Sequence, residues 1–157
     1  MSDESKLQML VDRTEISDTV IRYATGVDMQ DWEAFRSCFT DEVDIDMTSF
    51  RGGESQHLTA DAWAERVRTG ITKFKATQHL STNHVITING DEATCVSYMQ
   101  ARHYFPLETG ENCFVMGGFY INTLVRMPQG WKISKMKQIV NWTEGSRALF
   151  EQYTRRA

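Results

Sequence analysis

Apolar residues recur every three or four positions in the first half of the chain and every second position after about Phe74. The first spacing predicts amphipathic helices, because about 3.6 residues make one helical turn, and the second predicts strands, whose side chains alternate between two faces. The helical pattern covers about residues 4–27, 31–39 and 59–74; a half-exposed strand at 42–47 and a turn at 51–55 lie between the last two.

The rest of the chain is mostly strand, at about residues 77–88, 92–105, 113–127 and 131–142. Short turns such as Asn89-Gly90-Asp91 join neighbouring strands, which predicts an antiparallel sheet. Three helices followed by such a sheet predict an α+β fold in one domain spanning residues 1–157, with its core at about 7–144 and a C-terminal helix or tail at 145–157. Gly117-Gly118 inside a strand favours a strong bend, which would wrap the sheet into a cone around a pocket.

Composition and charge exclude several classes of function. The 157 residues carry a net charge of -4 without a basic stripe, so we expect no nucleic-acid partner. No apolar run reaches the roughly eighteen residues of a membrane span, and the N-terminus lacks the pattern of a signal peptide, so a cytoplasmic protein is expected. The three cysteines have no CxxC spacing, which argues against disulfides and structural zinc.

Histidines in strand sequence are the main candidates for chemistry, because imidazole titrates near neutral pH. His103 shares a strand face with small and apolar groups, including Met99, and this face is a candidate pocket wall. His79 belongs to a polar row with Ser81 and Asn83, a row that on its own indicates exposure. A core histidine that is merely hydrogen-bonded is the alternative for both.

The other two histidines have simpler interpretations. His84 has the opposite strand parity to His79 and is interpreted as structural, and His57 lies in a polar segment and is expected to be solvated.

Asp28 follows the first helix and has two possible roles. It either caps the next helix, which begins near Asp31, or pairs with a histidine and steadies its charged form. Tyr23 lies on the apolar stripe of the first helix and can reach a pocket. Phe114, Tyr120 and Asn122 share one parity on a long strand, where they can orient a ligand.

Several motifs follow one another in a specific order: Tyr23-Ala24-Thr25-Gly26-Val27-Asp28-Met29-Gln30-Asp31-Trp32, Phe39-Thr40-Asp41-Glu42-Val43, Thr77-Gln78-His79, Arg102-His103, Gly117-Gly118-Phe119-Tyr120 and Gly130-Trp131-Lys132-Ile133. This order resembles that of the SnoaL-like proteins of the nuclear-transport-factor-2-like, cystatin-like superfamily. The resemblance implies a cone-shaped fold with the pocket inside it.

Within that superfamily the catalytic pattern is similar to that of scytalone dehydratase. The resemblance implies that Asp28, His79 and His103 serve a water-eliminating reaction and that Asn122 contacts substrate. Dehydrochlorinase relatives use an Asp-His pair that matches Asp28 and His79. These relatives work without a metal, and the spacing here carries no zinc signature, so no metal is expected. The sequence also has no phosphate loop and no dinucleotide fingerprint, so no organic cofactor is expected.

The chain departs from the dehydratase at the residues that recognise the substrate carbonyl. Two tyrosines that hold a water there align with Val27 and Met47, and a serine aligns with Tyr120. Proton-transfer chemistry is therefore expected, with an altered substrate.

Two hypotheses follow. The first is a cofactor-free lyase, a dehydratase acting on a small cyclic ketone or alcohol. Isomerisation and cyclisation are alternatives, because they begin with the same proton transfer. Which histidine is the acid and which the base stays open. The second is a non-catalytic subunit that binds a ligand or builds an oligomer. The expected substrate contacts are Tyr23, Met47, Met99, Phe114, Tyr120 and Asn122. An uncovered outer sheet face also predicts a homodimer or homotrimer.

Overall fold

Helices precede and interrupt a long sheet in the computed structural model, which describes residues 2–108, 110 and 112–155. The described elements are α1 (Asp3–Met29), α2 (Trp32–Ser37), β1 (Phe39–Asp46), α3 (Thr48–Arg51), β2 (Gln56–Thr59), α4 (Ala60–Ile71), β3 (Ala76–Asn89), β4 (Glu92–Tyr104), β5 (Cys113–Met127), β6 (Gly130–Gly145) and α5 (Arg147–Arg155). The predicted α+β class is confirmed, with helices against a curved sheet. Two short elements, α3 and β2, were not predicted.

Capping fixes the ends of the first two helices. The Ser2 hydroxyl accepts a hydrogen bond from the Ser5 backbone at 3.2 Å, and Gln30 ends α1 in the left-handed region at φ 55°. The Asp31 carboxylate accepts a hydrogen bond from the Ala34 backbone at 2.9 Å and so begins α2. The sharp turn between these helices leaves Asp28 in the last turn of α1, facing the sheet.

The six strands lie in the order β2-β1-β6-β5-β4-β3. Four of the five pairings are antiparallel, as predicted from the short turns, but β1 pairs with β6 in parallel. That pair was predicted wrongly, because β1 and β6 are far apart in sequence and no turn sets their direction. Lys137 of β6 contacts Asp46 of β1 at 3.0 Å across this junction.

Gly117 and Gly118 allow the sheet to bend. The pairing of β5 with β6 shifts by one residue between them. A Cβ atom on Gly118 would lie 1.9 Å from the carbonyl oxygen of Ile139, and one on Gly117 would lie 2.1 Å from the ring of Trp142. Only glycine permits so close an approach, which explains the two residues at the predicted bend.

The helices cover one face of the sheet and leave the other open. Leu80, Tyr98, Phe119 and Trp142 line a shallow groove on the open face. Association through this face stays a prediction. Of the helices in the described ranges, none is long and apolar enough to cross a membrane.

Candidate functional site

A carboxylate and an imidazole meet between α1 and β3. Asp28 Oδ1 lies 2.7 Å from His79 Nδ1 and accepts a second hydrogen bond from the Thr77 hydroxyl at 2.8 Å. Asp28 Oδ2 accepts from the backbone N–H of His79 at 2.6 Å. Three donors from one strand therefore hold both the carboxylate and the ring in fixed orientations.

Of the two roles considered for Asp28, the geometry favours pairing with a histidine, because Asp31 and not Asp28 caps α2. Burial on its own would raise the pKa of Asp28, but the hydrogen bonds and charge of His79, with the Thr77 hydroxyl, hold that pKa below its usual value. The carboxylate is therefore ionised at neutral pH beside His79.

His103 lies on the inner face of β4, close to this pair. Its ring centroid is 5.4 Å from that of His79, and the two ring planes are nearly perpendicular, at 86°. Phe74 and Phe150 contact the same imidazole at centroid distances of 4.9 and 5.0 Å. Only 4% of His103 is exposed, and its Nδ1 has no hydrogen-bond partner among the described residues.

The surroundings keep His103 neutral. Burial, followed by the nearby His79, lowers the pKa of His103 from 6.5 to about 3. An imidazole with so low a pKa does not carry a proton at neutral pH, so it acts through hydrogen bonds and not as a cationic acid.

A cavity of about 90 Å³ opens beside the two histidines. Its wall is apolar and aromatic on most sides, with a few polar groups. It is lined by Tyr23, Val27, Met47, Phe50, Arg51, Trp63, Arg66, Val67, Gly70, Ile71, Phe74, His79, Ala101, His103, Met116, Tyr120, Gln138, Phe150 and Thr154.

Two phenols meet on the cavity wall. The rings of Tyr23 and Tyr120 have a centroid distance of 5.7 Å, and the Gln138 side-chain amide donates to the Tyr120 hydroxyl at 3.4 Å. Burial raises the pKa of Tyr23 well above its usual value and also raises the pKa of Tyr120. Both phenols stay protonated and can donate to a ligand oxygen.

Three of the six expected substrate contacts, namely Tyr23, Met47 and Tyr120, line the cavity. Phe114 is instead buried behind it, against Phe50 and Phe150. Asn122 and Met99 are buried as well, outside the set of described residues that form the cavity wall. Strand parity put all three on the inner face, but it does not show how far along the strand the pocket extends.

Several lining residues were not named as site residues from the sequence. Trp63, Val67 and Ile71 lie in α4, where the sequence pattern predicted only an amphipathic helix, and Arg51 and Phe150 lie in α3 and α5, where no pattern indicated a pocket. The amphipathic pattern of α4 was a signal for burial, but it does not distinguish a core from a cavity wall.

The remaining histidines differ from the site pair. His57 was expected in a solvated polar segment; it is exposed but lies in β2, where Asp44 and Glu42 contact its two ring nitrogens at 2.7 and 2.9 Å. His84 was assigned the opposite parity to His79. That parity is wrong, because a register shift at Asn83, with φ 55°, returns His84 to the inner side.

The new position of His84 still supports a structural role. Its ring nitrogens contact the hydroxyls of Ser17 and Ser81 at 2.8 and 3.2 Å. Within the described part of the chain, no group of three or more His, Cys, Asp or Glu side chains is placed to hold a metal ion.

Known proteins share this architecture. The Kfla4162 protein of Kribbella flavida is 30% identical, with a TM-score of 0.86 over 92% of this chain and 99% of that one. A protein of Novosphingobium aromaticivorans provisionally named a scytalone dehydratase is 21% identical, with a TM-score of 0.76 over 88% of this chain and 89% of that one. A hexachlorocyclohexane dehydrochlorinase of Novosphingobium barchaimii is 16% identical, with a TM-score of 0.74 over 90% of this chain and 94% of that one.

The last two structures show the fold alone, and no curated protein matches. The model of the SnoaL-like domain, however, matches residues 8–137. The chain therefore belongs to the SnoaL-like domain family, as the motif resemblance predicted. It shares the fold of a nuclear-transport-factor-2-like protein with a cystatin-like fold from Novosphingobium aromaticivorans.

Proposed function

We propose that this protein is a proton-transfer lyase, a dehydratase acting on a small cyclic β-hydroxy ketone. The observation that carries the proposal is the contact of 2.7 Å between Asp28 and His79 at the wall of a mostly apolar cavity. A partly buried carboxylate beside an imidazole is an arrangement suited to general base catalysis.

His79 is the base in this proposal. Its Nδ1 carries the proton donated to Asp28, which leaves the lone pair on Nε2, and no described residue hydrogen-bonds to that nitrogen. Asp28 fixes this tautomer and stabilises the imidazolium that forms after proton abstraction. Exchange chemistry distinguishes this role from that of a purely structural pair.

The reaction needs one proton carrier. His79 Nε2 removes the proton from the carbon next to the substrate carbonyl, and the electrons of that C–H bond form a carbon–carbon double bond as the neighbouring C–O bond breaks. The imidazolium returns its proton to the leaving hydroxyl, which departs as water. General acid/base catalysis of this kind contributes roughly 10²–10⁴-fold in rate.

His103 has a different role, because its imidazole is neutral. We assign it as a hydrogen-bonding group toward a substrate oxygen and not as the general acid. Its unpartnered Nδ1 supports this assignment, since a buried polar atom without a partner is destabilising until a ligand satisfies it.

The first proton transfer can be measured without knowledge of the natural substrate. Cyclic ketones and β-hydroxy ketones incubated with the protein in D₂O should exchange their α-hydrogens for deuterium, which NMR detects. We expect His79→Ala and Asp28→Asn each to slow this exchange by about two to four powers of ten. Circular dichroism of each variant checks that the fold is retained.

His57→Ala is the matched control, because His57 also contacts carboxylates but has both ring nitrogens occupied at the surface. Its exchange rate should equal that of the wild type. Equal rates for the wild type and His79→Ala on every ketone would refute the proposal and favour the non-catalytic hypothesis.

Isomerisation is the second candidate, because protonated phenols favour it. Tyr23 and Tyr120 can donate to an enolate oxygen and so extend the life of the carbanion until His79 returns the proton to another carbon. Product analysis separates the two reactions: a dehydratase releases water, whereas an isomerase moves the double bond at constant mass.

A further inference from the structure

Two positive side chains lie at the cavity wall, and neither has a negative partner within the described ranges of the chain. Arg51 and Arg66 both line the cavity that contains His79. Among the described residues, Arg51 makes no ion pair, and Arg66 donates to a neutral acceptor, the side-chain oxygen of Gln56. Uncompensated guanidinium groups that face a cavity are an arrangement typical of anion recognition.

The two guanidinium groups are close enough to affect each other. Although Arg51 is exposed at the mouth, the protein atoms around its guanidinium lower its pKa, and the like charge of Arg66 lowers it further. Arg51 also contributes, after burial and His79, to the low pKa of His103. Bringing like charges together is destabilising, so an anion bound between them would relieve repulsion.

Trp63 supplies a second, independent indication. The indole Nε1 of Trp63 is buried and has no hydrogen-bond partner among the described residues, and only 3% of the residue is exposed. Trp63 lies on α4 near Arg66, and both residues line the cavity and the groove that continues from it. A buried N–H without an acceptor is destabilising unless a ligand supplies one.

A groove adjoins the cavity at its entrance. It shares Met47, Arg51, Trp63 and Arg66 with the cavity but does not include the histidines. Glu54 also lines the groove, but it forms no ion pair with either arginine. The cavity wall is therefore positive at the mouth and carries the Asp28–His79 pair elsewhere.

We propose that the substrate carries a carboxylate, which binds at the cavity mouth to Arg51 and Arg66 and accepts a hydrogen bond from the Trp63 indole. This inference rests on the proposed function and names its substrate class, a small cyclic keto acid. Arginine suits the planar carboxylate because its donors match the two oxygens. The anchored acid then directs its ring into the apolar part of the cavity, toward His79.

A pair of probes tests the charge directly. Binding of 3-oxocyclohexane-1-carboxylate and of its neutral methyl ester is followed by NMR titration of the labelled protein, with the Trp63 indole signal as the local reporter. We expect the acid to bind at least about tenfold more tightly than the ester, the effect of one charge-assisted hydrogen bond. Acetate should bind much more weakly than the keto acid, because it has no ring to fill the cavity.

Single substitutions test which residues cause the tighter binding of the acid. Arg51→Gln and Arg66→Gln should each reduce the preference for the acid, and together they should abolish it while leaving binding of the ester unchanged. Trp63→Phe, which removes only the N–H donor and part of the ring, should weaken binding of the acid more than that of the ester. Arg68→Gln is the matched control on the same helix, because Arg68 is already paired with Glu65 at 2.7 Å.

Equal affinity for acid and ester would overturn the inference, and so would a preference that survives in the double arginine variant. Acetate binding as tightly as the keto acid would also refute it, because the arginines would then hold any free anion. His79→Ala keeps the proposals separable, since it should lose deuterium exchange and retain the preference for the acid.

Discussion

A buried carboxylate at the other end of the molecule gives the most quantitative prediction. Asp12 on α1 is only 4% exposed, and it accepts hydrogen bonds from Arg126 at 2.5 and 2.9 Å and from the Trp131 indole at 3.1 Å. The Arg126 hydrogen bonds outweigh burial, and with Trp131 and Gln8 they lower the pKa of Asp12 from 3.8 to about 2. The hydrogen bonds from Arg126 and Trp131 to Asp12 therefore connect α1 to the ends of β5 and β6.

The size of the effect follows from that pKa. Each pKa unit corresponds to about 1.4 kcal/mol, so ionised Asp12 should stabilise the fold by about 2 kcal/mol at pH 7. Because the folded-state pKa is lower than the unfolded one, the stabilisation is complete above pH 3.8 and disappears as the pH falls through about 2. Roughly half of it should remain at pH 3.

Urea unfolding of the wild type and Asp12→Asn, followed by tryptophan fluorescence at several pH values, measures this difference. We expect a loss of about 2 kcal/mol in the free energy of unfolding at pH 7 and a smaller loss at pH 3. Asp91→Asn is the matched control, because Asp91 contacts the same Arg126 at 2.9 Å but is 84% exposed. It should cost less than about 1 kcal/mol. A loss for Asp12→Asn that is equal at both pH values would refute the assignment to charge.

Two further predictions concern the bend and the second histidine. Gly118→Ala should lower the free energy of unfolding by about 2 kcal/mol or more, because its Cβ would clash with the Ile139 carbonyl. Gly70→Ala on helix α4 should be neutral or stabilising, because a Cβ there meets no atom within 4 Å. Thermal unfolding compares the two variants. His103→Gln should reduce the loss of unfolding free energy that the wild type shows as the pH falls. Below pH 6.5 the unfolded chain protonates His103 and the native protein does not, so the wild type should lose up to about 1.4 kcal/mol per pH unit down to about pH 3. Urea unfolding at pH 6.5, 5.5 and 4.5 measures that slope, and an unchanged slope in His103→Gln would contradict a neutral imidazole.

The sequence predicted the long elements well, because each repeats its pattern over many residues. Helix α1 and strands β3 to β6 each bury one stripe or one face, and these patterns are local. Helix α3 and strand β2 contain four residues each, too few to show a period. The parallel pairing of β1 with β6 depends on tertiary packing that no local pattern encodes.

The site was predictable where its residues lie on those long elements. Asp28, His79 and His103 were identified from apolar surroundings and motif order, and the structure brings them together. The polar row on β3 indicated exposure for His79, yet the ring is largely buried, because the Asp28 carboxylate of α1 accepts hydrogen bonds from Thr77 and His79. A polar pattern on a strand does not reveal a buried polar partner from a helix.

The cavity wall was not predictable, because its parts come from segments distant in sequence. Arg51, Trp63 and Phe150 lie on three different helices, and the packing of those helices against the sheet alone brings them to one cavity. Their sequence surroundings are those of a turn, a core helix and a terminal helix. Charge at a pocket mouth therefore became visible only in three dimensions.

The dehydratase resemblance implied altered recognition of a substrate carbonyl, and the residues of the cavity wall are consistent with that expectation. Val27 and Met47, which align with the two water-holding tyrosines of the dehydratase pattern, line the cavity but offer no hydrogen-bond donor. The phenols of this cavity come from Tyr23 and Tyr120 instead, one helical turn before Val27 and on β5.

Under the proposed function, Asp28 fixes the direction of the His79 lone pair, and we expect the substrate oxygen to lie near the Tyr23 and Tyr120 hydroxyls. A ligand whose carbonyl faced Val27 and Met47 would find no hydrogen-bond donor on those side chains. An unpaired carbonyl in a desolvated cavity is disfavoured by roughly 1–3 kcal/mol, so under the proposed function we expect a substrate whose carbonyl faces Tyr23 and Tyr120 instead.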